Sequence, residues 1–311
     1  MALTFTAVQK HFGKHPAVQN VSLTIPTGTV HGLIGPNGAG KTTMMRLILR
    51  LLLPDSGTIT WQGEPLRPDT CATFAYVPEE RGLYPRETVQ AHLQFFGQLW
   101  GLTPRQARSA ADALMERLAL TPYAHTRARD LSKGNARKTQ VALGLLGQPA
   151  LMVLDEPFDG MDPENSQRVQ TVLQEVARQG TTVIVSSHGL SFLDGWIEGV
   201  TLLRQGAVAA HGVLADLRAA LPWRTLRVNW RTWDAARLAA WEAQWPLERV
   251  SAPPQSLYRL DQSVADQLDI AALWTIGTLS AFAVEPPTLF DLYQHVMSHP
   301  AEEPLCTTVP C

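Results

Sequence analysis

The stretch Gly35-Pro36-Asn37-Gly38-Ala39-Gly40-Lys41-Thr42 constrains this chain more than any other part of it. Its spacing, GxxxxGK(S/T), is that of a backbone cradle for a nucleoside triphosphate. The apolar run Val30 to Ile34 predicts a buried strand before it, and Thr43 to Leu52 predicts a helix after it. Strand, glycine turn and helix in that order are the context the motif requires. Gly35, Gly38 and Gly40 are expected to take positive φ, letting successive N–H groups face a β-phosphate, with Pro36, Asn37 and Ala39 completing the loop. Lys41 then adds a charge at the β/γ oxygens. The Thr42 hydroxyl is placed to ligate Mg²⁺, and the helix end that begins there and includes Thr43 favours anions.

A second element supplies carboxylates. Leu151 to Leu154 reads as a buried parallel strand ending in Asp155-Glu156. In open α/β sheets ligands bind at the carboxyl ends of strands, so Asp155 is expected beside Thr42, holding Mg²⁺ through water, while Glu156 acts as general base on the attacking water. A solvated acidic pair opening a loop is the plainer reading of the same dipeptide.

Between these elements lies Leu131-Ser132-Lys133-Gly134-Asn135, and beyond them Asp162 and His188. Together the motifs resemble the nucleotide-binding domain of ATP-binding cassette (ABC) proteins, with Ser132 to Asn135 as the signature. The stretch Pro78 to Pro85 and the LSKGN form of the signature are similar to the ATPase subunits of ABC-2 type exporters, the sodium-efflux and drug-resistance branch. The resemblance covers about residues 3 to 215. It implies an α/β fold: a P-loop ABC ATPase domain with a mixed sheet core and a helical subdomain over about residues 86–145. Phe12 resembles the aromatic that stacks on adenine, with the neighbouring His11 as an alternative and an ordinary strand residue as the plain reading. Glu79 stands where most of the family has glutamine; its carboxylate is a candidate Mg²⁺ ligand or a solvent-facing coupling residue. Lys133 replaces a signature glycine, and Asn135 replaces its glutamine. Asp159 stands where serine is usual, while Asp162 matches the family's aspartate. His188 resembles the histidine that holds the γ-phosphate.

The resemblance also implies two chains. The signature serine acts on the nucleotide held by a second subunit, so one glycine loop and one signature per chain require a head-to-tail homodimer or heterodimer. ATP and Mg²⁺ are the implied cofactors, and a separately encoded polytopic membrane subunit is the implied partner. The Arg81 to Glu87 segment is the favoured coupling surface. The stripe Leu93, Phe96, Leu99 and Trp100 reads as core before it reads as partner surface. A non-transport ABC ATPase acting in translation, repair or regulation is the competing function.

Composition bounds the rest. A formal charge of -2 offers no field for nucleic acid, which is not an expected partner. No run of 18 or more apolar residues and no basic-then-apolar start occur, so the expected location is cytoplasmic, on the inner face of the membrane through the partner. Three cysteines, Cys71, Cys306 and Cys311, have no framework spacing and read as reduced thiols, although Cys306 and Cys311 are close enough to pair. Six of the nine tryptophans fall between Trp223 and Trp274, in a stretch without nucleotide motifs. Residues 216–300 therefore read as a small α+β accessory domain after an ATP-binding domain of residues 1–215. Residues 301–311 are expected to form a disordered tail.

Overall fold

The computed structural model describes residues 1–80, 82–187, 190–298 and 305–306. Its strands, in chain order, are β1 (Ala2–Phe12), β2 (His15–Pro26), β3 (Val30–Ile34), β4 (Ser56–Trp61), β5 (Glu64–Pro65), β6 (Phe74–Val77), β7 (Leu151–Asp155), β8 (Thr182–Ser186), β9 (Gly199–Arg204) and β10 (Ala207–Val213). They continue with β11 (Trp223–Trp233), β12 (Leu247–Ser251), β13 (Gln255–Asp261), β14 (Gly277–Glu285) and β15 (Leu305–Cys306). The chain divides into two compact units, the first of Met1–Leu214 with Val296–Cys311 and the second of Ala215–His295.

The first unit is built on a seven-stranded sheet of order β15-β10-β9-β3-β8-β7-β6. β3, β7 and β8 are buried at every position, as mostly apolar strands become when both faces of a parallel sheet are covered. β9, β3, β8, β7 and β6 are parallel neighbours in register, for example Leu33 with Ser186, Asp155 with Ser186, and Val77 with Leu154. Their carboxyl ends therefore emerge on one side. A second sheet, β2-β1-β4-β5, is antiparallel and places Leu3, Phe5, Leu23, Ile25 and Ile59 in the same core as Met44, Met45, Leu47 and Ile48 of the helix Lys41–Ile48. That helix starts earlier and stops earlier than Thr43 to Leu52.

Two buried histidines tie the sheets' strands together. His31 on β3 and His211 on β10 are each 1% exposed. Thr201 Oγ1 on β9 lies 2.8 Å from His31 Nε2 and 2.9 Å from His211 Nδ1, and His211 Nε2 lies 3.0 Å from Thr24 O on β2. Burial pushes both imidazoles below their usual pKa, that of His31 well below, with His211 adding to the effect.

Helices Val89–Leu99 and Pro104–Arg117 occupy the expected helical stretch, the second opened by a Thr103–Gln106 capping box and Pro104. Leu93 is core, whereas Leu99 is 66% exposed, so the stripe read as core turns partly outward.

The second unit is a four-stranded antiparallel sheet, β12-β13-β11-β14, with helix Ala235–Glu242 packed on it. Leu226, Val228 and Trp230 alternate inward along β11 to meet Leu238, Trp241, Tyr258 and Leu273. Trp230 Nε1 donates to Ser256 Oγ at 3.2 Å, and the Tyr258 hydroxyl donates to Glu242 at 2.8 Å. Burial pushes the Tyr258 phenol up to about 12.

Two expectations change at the end of the chain. Leu305 and Cys306 pair in parallel with Ala210 and His211 of β10, so these two residues extend the main sheet where a disordered tail was expected. Residues 301–304 and 307–311 lie outside the described residues. Cys306 is disulfide-bonded and Cys71 is a free thiol, so the reading of three reduced cysteines fails at Cys306.

Candidate functional site

The parallel strands deliver the candidate residues. β3 runs into the glycine loop, β7 ends at Asp155, β6 runs toward Glu79, and β8, between β3 and β7, ends at Ser186. A cavity of 530 Å³ forms there, lined by Phe12, His15, Ala17, Asn37 to Thr43, Glu79, Asp155 and Glu156.

The loop's glycines are needed for two different reasons. Gly38 and Gly40 have φ of 78° and 102°, as expected. Gly35 is not among the positive-φ residues. Its requirement is closeness: a Cβ there would lie 2.5 Å from Leu203 O. Lys41 Nζ donates to Gly35 O at 2.8 Å and Pro36 O at 3.2 Å, so the ammonium is folded back over its own loop. Burial lowers its pKa, opposed by the carboxylates of Glu156, Asp155 and Glu79. The ammonium and three carboxylates thus share one electrostatic neighbourhood.

Asp155 is buried and accepts a 2.6 Å hydrogen bond from Ser186 Oγ. The Glu156 N–H reaches Ser186 O at 3.2 Å and Ser186 Oγ at 3.1 Å, and Glu156 sits at φ 49°. A left-handed non-glycine residue at a strand end is a local backbone cost, here held by Ser186, and it turns the chain sharply after the strand. Ser186 thus holds the Asp155 carboxylate and the Glu156 backbone. Nothing in the sequence reading singled it out; only the β7–β8 register brings it to Asp155.

Phe12 is 49% exposed and is among the residues that line the cavity. His11, the alternative, is not among the cavity's lining residues. Its backbone N–H donates to Asp55 at 2.6 Å, and its ring nitrogen lies 3.5 Å from the same carboxylate. Among the described residues, the imidazole that lines the cavity is His15, which the motifs did not mark.

The signature lies apart from this cavity's lining. Ser132 caps helix Lys133–Leu145, its Oγ accepting from Asn135 N at 3.2 Å, and is exposed. Gly134 is buried against the turn at Gly160, whose carbonyl would lie 3.2 Å from an added Cβ. Asp162 caps helix Pro163–Arg178, accepting from Asn165 N at 2.8 Å, and its hydrogen bonds to Asn165 hold its carboxyl below the usual range. His188 and Arg81 lie outside the described residues.

Comparisons with known proteins agree with this geometry. The ABC transporter family profile matches residues 18–159. An uncharacterized ABC transporter ATP-binding protein of Bacillus subtilis, YhaQ, is 32% identical over 293 residues, 94% of this chain and 97% of the relative. The daunorubicin resistance ATP-binding protein DrrA3 of Streptomyces coeruleorubidus is 31% identical over 310 residues, 95% of each chain. Among solved structures, an ATP binding subunit of an ABC transporter gives a TM-score of 0.65 at 28% identity, covering 70% of this chain and 92% of that one. A dimeric ATP-binding cassette bound to ADP and Pi shares the fold, with a TM-score of 0.62 at 22% identity, covering 68% and 98%. With relatives matched nearly end to end and a glycine loop facing a strand-end carboxylate pair, the chain belongs to the ABC transporter ATP-binding proteins, a family of ATPases.

Proposed function

We propose that this chain is the ATP-hydrolysing motor of an ABC-2 type exporter, driving efflux through a separately encoded polytopic membrane subunit. The observation that carries this is the gathering of Lys41, Thr42, Glu79, Asp155 and Glu156 on one cavity. Relatives named for daunorubicin and linearmycin resistance support the export direction. Among the described residues no helix is long and apolar enough to cross a membrane, which fits a motor that works on a separate membrane protein.

In this reading the N–H groups of the Gly38 to Thr42 turn hold the β-phosphate, and Lys41 exchanges the carbonyls of Gly35 and Pro36 for β/γ oxygens. Phe12 stacks on the adenine. Thr42, Asp155 and Glu79 bring one hydroxyl and two carboxylates to the cavity, the hard oxygen donors that Mg²⁺ takes together with substrate phosphates. When bound, the ion would offset the phosphate charge. Glu156 accepts a proton from water as the water oxygen bonds the γ-phosphorus and the bond to the ADP oxygen breaks. His188 hydrogen-bonds the γ-phosphate. Ser132, whose signature segment lines no part of this cavity, serves the nucleotide on the other chain of a head-to-tail dimer.

The test is isolation of the tagged chain from membranes. The reading predicts a polytopic protein in constant ratio with it, and ATP turnover in that complex. Recovery without a membrane partner, or on ribosomes or DNA, would replace it with a non-transport ATPase.

A further inference from the structure

Three side chains along one face of the helix Lys133–Leu145 reach two segments that the sequence leaves unconnected. Lys133, Arg137 and Gln140 follow the i, i+4, i+7 spacing of a single helical stripe. Lys133 Nζ donates to Asp159 Oδ2 at 2.6 Å. Arg137 is 4% exposed and spans the carbonyls of Pro78 and Glu79, the latter at 2.7 Å. Gln140 Nε2 donates to Glu80 O at 2.8 Å. We infer that this stripe is a positioning device for hydrolysis: it holds the Glu79 segment and the Asp159 turn in fixed relation to the signature serine at the head of the same helix.

Packing supports the bonds at both ends. An added Cβ on Gly160 would lie 2.4 Å from Lys133 Cδ, so the lysine stem lies directly on that glycine. Gly134 faces the Gly160 carbonyl and Met161, which brings the signature and the turn together backbone to backbone. Arg137 is a buried guanidinium whose hydrogen bonds run to carbonyls and Gln140. Burial lowers its pKa, and the carboxylates of Asp159, Glu79, Asp155 and Glu156 oppose that. A lysine could not replace its planar fork across two carbonyls.

Lys133 and Asp159 are also the two places where this chain departs from the usual signature glycine and the usual serine of the turn. Their ion pair joins the two positions directly. The turn follows Glu156, which acts on the chain's own nucleotide, whereas Ser132 acts on the partner's. A rigid link between them aligns the two half-sites. This inference rests on the proposed hydrolytic reading.

Steady-state ATP turnover of the full chain tests it, with Lys133→Met, Asp159→Asn, their double variant, Arg137→Lys and Glu156→Gln assayed together and each melting temperature recorded. Each single change at the pair should lower kcat about fivefold with KM for ATP held, the scale of an exposed ion pair converted to a rate. The double variant should be no slower than the slower single one. Added salt should slow the parent toward the variants and leave the variants alone. Arg137→Lys should raise the Mg²⁺ concentration needed for half-maximal turnover while the melting temperature stays within a few degrees. Parental kcat in both single variants, or losses that multiply in the double variant, would overturn the positioning role while Glu156→Gln still abolishes turnover. Undiminished turnover in Glu156→Gln would instead remove the hydrolytic reading beneath it.

Discussion

Around the nucleotide loop, backbone passes so close to backbone that side chains are excluded at named positions: a Cβ on Gly35 would sit 2.5 Å from Leu203 O, and one on Gly40 would sit 2.4 Å from Ala17 O. The second unit works differently. Between Ala215 and His295 the chain has one glycine, Gly277, and six of its nine tryptophans, and it is held by an alternating apolar face built on Leu226, Val228, Trp230 and Tyr258. The first region must have particular residues at particular places, because phosphate contact and close backbone approach admit no substitutes. The second needs only apolar bulk at alternate positions, which many sequences supply. Side-chain changes at Lys41 or Glu156 are therefore expected to cost chemistry before fold, and changes in the second unit's apolar face to cost fold before chemistry.

The largest expected effect breaks the first region alone. Glu156→Gln keeps the shape and the backbone bonds to Ser186 but removes the base, and turnover should fall about 10²- to 10⁴-fold, with ATP affinity and melting temperature kept. Single-turnover hydrolysis beside equilibrium ATP binding checks this. The mirror experiment is Trp230→Ala, which empties a core position and one hydrogen bond to Ser256. It should cost the second unit roughly 3 to 5 kcal/mol. If ATP binding falls in parallel, the two regions are less separable than their constraints imply.

How much of each region could be read beforehand follows the same division. Spacing marked the loop, Asp155-Glu156 and the signature, and β3 and β7 run over the expected residues. β11 and β13 alternate between buried and more exposed positions, the period a half-buried strand writes into a sequence. The strand β12, LERVS, carries no alternation because it is mostly exposed, and it was not anticipated. What sequence could not offer was pairing at a distance: Ser186 on Asp155, Lys133 on Asp159, Arg137 on the carbonyls of Pro78 and Glu79. Each depends on sheet register or on how a helix is docked. Gly35 was correctly required for the wrong reason, since crowding by Leu203 rather than positive φ excludes a side chain.

A smaller effect separates the sheet's buried polar link from both regions. His31 and His211 have folded-state pKa values below the ordinary 6.5, so the unfolded chain binds protons first as pH drops. Their contribution is intact above about pH 6.5 and is lost below it, at up to about 1.4 kcal/mol per pH unit for each group, until the depressed folded values are reached. Urea denaturation between about pH 5 and pH 8 should show this slope, and His31→Gln should flatten it. An unchanged slope would mean that His31 is not the group that titrates.

The smallest expected effect concerns Glu79. If its carboxylate serves the metal, ATP without Mg²⁺ meets an unpaired negative charge in the cavity, and Glu79→Gln should bring the affinities for ATP and Mg-ATP closer. An unchanged gap would leave Glu79 to coupling with the proposed membrane partner; its backbone carbonyl is already held by Arg137.

In the proposed mechanism each reaction site is completed by a second chain. Lys41→Ala chains and Ser132→Ala chains, each inactive alone, are mixed and their ATP turnover is measured with mixed dimers verified. Each mixed dimer contains one site with both an intact Lys41 and an intact Ser132, so part of the turnover should return. A mixture that forms mixed dimers and stays as inactive as its parents would contradict that mechanism.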